Sequence, residues 1–295
     1  MSSLAISLLS SLLVGFYIKS LKISFKKDLF IFIFSNYLTA IFLSYFLFHI
    51  QIQKINFELY NYKLIAITGF LLPTILYFLN KSLETSGLAR TDIFQRLSLI
   101  IPIILSFVLF GEHFSYNKAI VIVLTFISIF LILGNKGANS SFKNIYYLFA
   151  VFLGYGIVDT LFKQIAINKS ADFITTLFLI FICSAIVSLF YIFIFKGKTN
   201  FKYFFLGIFF GVLNFSNIYF YIKAHKAFAQ SPTLVFITMN LGVIIGGTLI
   251  GRFYFKEKLY KSTIYGIFLA ISSIILLALI QLKYGKKIIF DIIVN

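Results

Sequence analysis

Ten apolar runs follow one another along this chain with little between them. A helix needs roughly 20 residues to cross the hydrocarbon of a bilayer, and most of these runs reach or approach that length. In the first half they fall at Leu4–Ile18, Leu29–Ile50, Leu64–Asn80, Thr91–Phe110 and Lys118–Leu133. In the second they fall at Ile145–Phe162, Phe173–Phe195, Phe204–Ile222, Thr233–Arg252 and Ser262–Gln281. In lipid every backbone N–H and C=O needs an internal partner, so only helices and closed barrels can span. Barrel strands alternate apolar with polar residues, whereas these runs are continuous, which selects helices. The expected fold class is therefore an all-α integral membrane protein of ten transmembrane helices. With 60% hydrophobic and only 12% charged residues among 295, too little polar surface remains for a soluble domain.

The formal net charge is +17, from 26 Lys and Arg against 9 Asp and Glu. In a soluble protein that excess suggests nucleic acid. Here the bases lie singly or in short clusters between apolar runs, where membrane proteins place them at the headgroups, and no nucleic acid is expected as a partner. Loops after the odd-numbered spans hold 15 of the bases and the other side 10, with Arg96 left inside a span. The positive-inside rule then puts both termini outside the cytoplasm. The first run has no basic residue before it, so it lacks the n-region of a signal peptide and reads as a retained span. Cys183, the only cysteine, lies in an apolar run, which leaves no disulfide framework and no thiolate metal site.

A small pattern recurs at a spacing of 145 residues. Phe110-Gly111-Glu112 joins spans 4 and 5, and Phe255-Lys256-Glu257 joins spans 9 and 10. At the same spacing Leu124, Ser128, Ile129 and Leu131 match Leu269, Ser273, Ile274 and Leu276. The one turn-rich linker, Gly134 to Ser141, divides five spans from five. Five is odd, so two homologous units must enter the membrane in opposite senses, as an inverted repeat. The expected organisation is a first repeat at 1–134, a linker at 135–144, a second repeat at 145–282 and a short basic tail at 283–295.

Ten short helices, a repeat after five, and Phe-x-Glu at both junctions resemble the drug/metabolite transporter superfamily, specifically its ten-helix EamA-type members. The resemblance covers residues 1–281 and is most specific from Gln95-Arg96-Leu97-Ser98 to Glu112 and from Asn240 to Glu257. It implies a carrier, monomeric or a weak homodimer, with a central cavity and alternating access between two halves. It does not name the cargo.

Polar groups inside the spans are the candidate site. Arg96 stands within span 4, where an ionised group is costly unless it is paired, wet or snorkelling. Its planar fork suits a carboxylate or phosphate on a cargo. Alternatively Asp92, one turn earlier, satisfies it as an i,i+4 pair. Asp159 and Lys163 repeat that spacing near the end of span 6: Asp159 is either a proton-coupling carboxylate or a counter-ion for an amine, or the two form a helix-end ion pair. Span 4 starts and span 6 ends on opposite faces, so Arg96 and Asp159 are expected about half the bilayer core apart. Gln95 and Asn240 correspond at the 145 spacing, and Asn214 lies near the middle of span 8; such amides bind cargo or bridge helices. Glu112 and Glu257 read as caps or ion-pair partners at the junctions.

Gly242, Gly246, Gly247 and Gly251 give span 9 a small face for close packing, or for a second copy. Pro73 and Pro102 interrupt spans 3 and 4 as kinks or gates. His49, His113 and His225 are scattered, and the chain has no His-Glu-x-x-His, nucleophile elbow or Walker-type loop, so neither catalysis nor ATP drive is expected, nor any metal or cofactor. The expected function is secondary active transport of a small polar metabolite, amino-acid-like or otherwise anionic or zwitterionic, across the cytoplasmic membrane. Drug, quaternary-amine or lipid-linked export, a channel and a flippase are the alternatives, with a membrane-embedded enzyme last.

Overall fold

The computed structural model describes residues 2–21, 28–134, 145–198 and 200–294, with the side chains of 54, 57, 89 and 282–294 left undescribed. The linker 135–144 and the bases Lys22, Lys26, Lys27, Lys136 and Lys143 lie outside the described residues, as do the side chains of Lys54, Lys283, Lys286 and Lys287.

The fold is helical throughout: α1 (Ser2–Leu21), α2 (Leu29–Leu47), α3 (Tyr62–Ser86), α4 (Leu88–Leu97), α5 (Ile100–Val108) and α6 (Tyr116–Leu133) come from the first half. The second half supplies α7 (Ile145–Ile167), α8 (Phe173–Ile194), α9 (Phe201–Ala227), α10 (Pro232–Phe253) and α11 (Lys261–Val294). Ten of these segments, counting α4 and α5 as one, are long and apolar enough to cross a membrane. This is a multi-pass membrane protein.

Short polar residues start several helices by accepting from backbone N–H groups that have no partner within the helix. Asn61 accepts from Leu64 N, Asp172 from Thr175 N, and Ser115 from Lys118 N. Pro232 occupies the first turn of α10, where its missing N–H costs nothing. The two internal prolines act differently. A proline frees the carbonyl four residues back. In α3, Pro73 frees Gly69 O, which Ser184 Oγ of α8 takes at 3.0 Å, and the helix runs on. Ahead of Pro102 the chain instead tightens, with Ile101 N bonding Ser98 O at 3.0 Å, and the fourth span divides into α4 and α5.

Several spans run longer than the apolar runs: α3 reaches Ser86, six residues past Asn80, and α9 reaches Ala227, five past Ile222. Span 6 continues five residues past Phe162 to Ile167. The last helix runs on from the membrane span, Lys261–Gln281, to Val294.

Helices pack chiefly across the two halves. α1 lies on α9 and α2 on both α8 and α9, while α7 lies on α3 and α3 also meets α8; α6 packs against α11. Exchanging each span with the one five later turns most of this set into itself. The largest exception is α7 on α9, for which α1 and α3 have no comparable contact. The closest approach is between α9 and α2. A Cβ on Gly207 would collide with Ser35 Oγ and the Phe32 carbonyl, and one on Gly211 would come 2.8 Å from Asn36 O. The span 9 glycines meet side-chain ends rather than backbone: Gly242 and Gly246 receive Leu8 and Leu12 of α1, so that face is covered within the chain, and Gly247 meets nothing within 4 Å. Gly207→Ala is expected to lower thermal stability by about 1–3 kcal/mol or to prevent folding, while Gly247→Ala stays within about 0.5 kcal/mol. Equal melting temperatures for the two variants in detergent would refute this packing.

The two Phe-x-Glu junctions share one backbone. Phe110 N bonds Leu105 O and Glu112 N bonds Ser106 O; 145 residues on, Phe255 N bonds Ile250 O and Glu257 N bonds Gly251 O. The residue between them is left-handed in both, Gly111 at φ 63° and Lys256 at φ 55°.

Candidate functional site

A cavity of about 440 Å³ lies among α1, α3, α4, α7, α9 and α10. Its mouth is formed by Lys19 at the end of α1, Leu83 near the end of α3 and Leu88 at the start of α4. These three positions share one membrane face. At the other face Glu112, Lys163 and Thr233 are buried and none of them lines the cavity. The lining thus extends toward the face that carries the larger share of basic residues and stops short of the other.

Arg96, Gln95, Asn240, Asn214 and Asp159 all line this space. Arg96 stands eight residues from the start of α4, and Asp159 eight residues before the end of α7. At about 1.5 Å per residue each is about 12 Å from its own face, which leaves only about 6 Å between their depths in a core of about 30 Å. The expectation that they lie half the core apart fails because span 4 starts three residues earlier, and span 6 ends five residues later, than the apolar runs do. Both side chains line the same cavity.

Arg96 is held from two sides. Its Nε donates to Asp92 Oδ1 at 3.3 Å, and one Nη donates to Asn240 Oδ1 at 3.3 Å. Asn240 in turn donates to Phe236 O at 3.1 Å, so α10 sets the direction of the guanidinium. The remaining guanidinium donors leave a position for an anion at the cavity wall. Both the intrahelical pair with Asp92 and the cavity placement are thus present at once.

Asp159 does not pair with Lys163. Its Oδ1 accepts from Tyr221 Oη of α9 at 3.2 Å. Lys163, fully buried, donates to Ala229 O at 2.6 Å, on the closed side. The i,i+4 reading of these two residues is corrected, because successive turns of one helix here face different neighbours. Asn214 donates to Asn36 Oδ1 of α2 at 3.1 Å, which makes it a bridge as well as a wall residue.

The site includes residues that the sequence reading did not single out. Tyr155 and Tyr221 flank Asp159, and Tyr37 closes the wall beside them. Asn217 reaches the cavity while Ser7 Oγ of α1 donates to its side-chain oxygen at 3.1 Å. A tyrosine or asparagine among 18 tyrosines and many amides carries no local mark, so only the packing identifies these.

The closed face is locked by Glu112. Its Oε1 pairs with Lys118 Nζ at 2.9 Å, and its Oε2 accepts from Thr233 N at 3.0 Å and Thr233 Oγ1 at 2.6 Å. Lys118 also donates to His113 O at 2.9 Å. Glu112 therefore ties the α5–α6 junction to the start of α10. Glu257 pairs with Lys19 Nζ at 2.5 Å, in a contact about one-third exposed.

An uncharacterized protein of Haemophilus influenzae (strain ATCC 51907 / DSM 11121 / KW20 / Rd) is 42% identical over 264 residues, which span 86% of this chain and 90% of that protein. A solved crystal structure superposes with a TM-score of 0.69 over 95% of this chain and 99% of the other, at 11% identity, and so shares the fold. Residues 1–134 match the model of the EamA-like transporter family. With ten helices long and apolar enough to cross a membrane, the chain belongs to the EamA-like transporter family, among the drug/metabolite transporters.

Proposed function

We propose that the protein is a secondary carrier for a small zwitterionic metabolite of amino-acid size, working by alternating access between two inverted halves, residues 1–134 and 145–282. The observation that carries this reading is the opposition of charge in one mid-membrane cavity. Arg96 offers donors to a carboxylate, and Asp159, with Tyr221 holding one oxygen, offers an acceptor to an ammonium group. A pure cation would face Arg96 and a pure anion would face Asp159, so each alone is disfavoured. Apolar and aromatic walls from Leu72, Ile75, Phe162, Phe210 and Met239 would take the cargo's remaining surface. The recurrence of the same backbone bonds at both Phe-x-Glu junctions supports the two-halves reading. By the charge count, the open face is the cytoplasmic one.

Purified protein tested against amino acids, organic acids, phosphorylated metabolites and quaternary amines should be thermally stabilised by a zwitterion, by an amount growing with ligand concentration. The same solute should show saturable counterflow in liposomes. Ion conductance without saturable exchange would replace the carrier with a channel, and stabilisation by quaternary amines alone would move the cargo to cations.

Asp159 is also the coupling candidate of this reading. Asp159→Asn keeps the shape and removes the charge. It is expected to abolish accumulation driven by an imposed pH gradient while sparing exchange at equal pH. A variant that still concentrates the solute under a pH gradient alone would remove Asp159 from coupling.

A further inference from the structure

His225 is a buried polar residue that the proposed cycle leaves unused. It stands at the end of α9, just before the turn into α10, and so near the face where Thr233 is buried. Its side chain is fully buried, and neither Nδ1 nor Nε2 has a hydrogen-bond partner among the described residues. Toward the cavity stands Tyr221, one turn earlier, whose ring meets the imidazole at 4.7 Å and 74° while its hydroxyl holds Asp159. From α10 the ring of Phe236 lies 4.5 Å away, one turn on from Thr233, which Glu112 holds. α9 and α10 have few other contacts, so the imidazole fills much of the seam between them. The charged groups of this layer are Lys163 of α7, whose Nζ is on Ala229 O, and the Glu112–Lys118 pair of the α5–α6 junction. Lys223 and Lys226 of α9 itself lie over other rings, Tyr219 and Phe173. His49 and His113 are exposed at the same face.

We infer that His225 is a proton-operated gate: neutral, it keeps this face shut, and protonated, it opens it. The neutral ring packs between two aromatic neighbours and leaves both nitrogens unbonded. An imidazolium carries two N–H donors, and here neither would find an acceptor. Aromatic rings attract a cation, but an ion deprived of both water and acceptors is far costlier to bury than the neutral ring. A conformation that parts α9 from α10 lets water reach both nitrogens. An imidazole in water takes up its proton as the pH falls through about 6.5. The proton therefore binds the state with this face open in preference to the present one, and shifts the population toward it. This inference rests on the alternating-access reading and gives protons a second point of action, at the gate rather than at the cargo site.

The test uses reporter cysteines in a Cys183→Ala background and a thiol reagent too polar to enter lipid. Ser231→Cys reports the closed face, at a serine 2% exposed whose Oγ has no partner among the described residues, and Leu83→Cys reports the cavity mouth. Each rate is divided by that of the His225→Phe protein with the same cysteine at the same pH, which cancels the pH dependence of the thiol. His225→Phe keeps a ring against Tyr221 and Phe236 and removes the two unbonded nitrogens, so it should melt no lower than the parent. Taking the pH from 8 to 5.5 should raise this ratio at 231 roughly tenfold, the shift expected when one state alone binds a proton near 6.5. The ratio at 83 should stay level or fall. His225→Gln, polar but unable to titrate, should show no rise at 231. An unchanged ratio at 231, a rise at both positions, or a rise that survives in His225→Gln would overturn the gate and leave His225 as packing. None of these readouts requires a solute. A protein that shows the rise at 231 yet exchanges no solute would keep the gate and lose the carrier, and the reverse pattern would lose only the gate.

Discussion

Glu112→Ala should be far more destabilising than Glu257→Ala, although both residues sit in the same turn of their halves. The Glu112 side chain is 1% exposed and its partner Lys118 is 6% exposed. Removing the acid leaves a buried ammonium with only the His113 carbonyl, and leaves Thr233 N and Oγ1 without an acceptor. Breaking a buried pair from one side costs about 3–5 kcal/mol, because the remaining charge stays desolvated. The pair of Glu257 with Lys19 is about one-third exposed on both sides. Water replaces the lost partner there, so its removal costs under about 1 kcal/mol. Thermal unfolding in detergent reads both. Similar shifts for the two variants would show that the closed face is not held by Glu112.

Arg96→Lys is expected to weaken binding nearly as much as Arg96→Ala. The guanidinium spans Asp92 on its own helix and Asn240 on α10 at once, and its plane leaves further donors for the cargo. A lysine keeps the charge but cannot hold both partners and a carboxylate in one plane. Loss of a charge-assisted bidentate contact of about 1.5–3 kcal/mol corresponds to roughly 10- to 150-fold in affinity. Ligand-dependent thermal stabilisation should disappear while the protein alone melts close to the parent. Retained affinity in Arg96→Ala would assign Arg96 to the Asp92 pair alone. Asn240→Ala tests the same geometry from α10 and should produce a smaller loss, since it frees the guanidinium without removing it.

The ten helices could be read from the chain because hydrocarbon makes span formation a local property. A segment there must satisfy its own backbone, so length and apolarity decide the matter within a window of about 20 residues. The intramembrane charges were visible for the same reason: Arg96 and Asp159 are costly wherever they sit in such a run. The Phe-x-Glu junctions were visible because they recur at one spacing between apolar runs. Their left-handed residue was not, since Lys256 takes at φ 55° the place that Gly111 fills at φ 63°.

Partners across helices belong to the tertiary structure alone. In lipid a helix needs no amphipathic stripe, so its sequence does not say which face turns inward or at what depth. Asp159 therefore looked like the neighbour of Lys163 four residues on, whereas the bundle gives it Tyr221, 62 positions away, and sends Lys163 to Ala229 on the closed side. Glu112 finds Thr233 at 121 positions and Arg96 finds Asn240 at 144. The close seam of Gly207 and Gly211 against α2 is of the same kind, because a glycine pair marks small size and not the backbone it will meet. Helix formation is set by each segment against its solvent, and the site by how the segments rotate against one another.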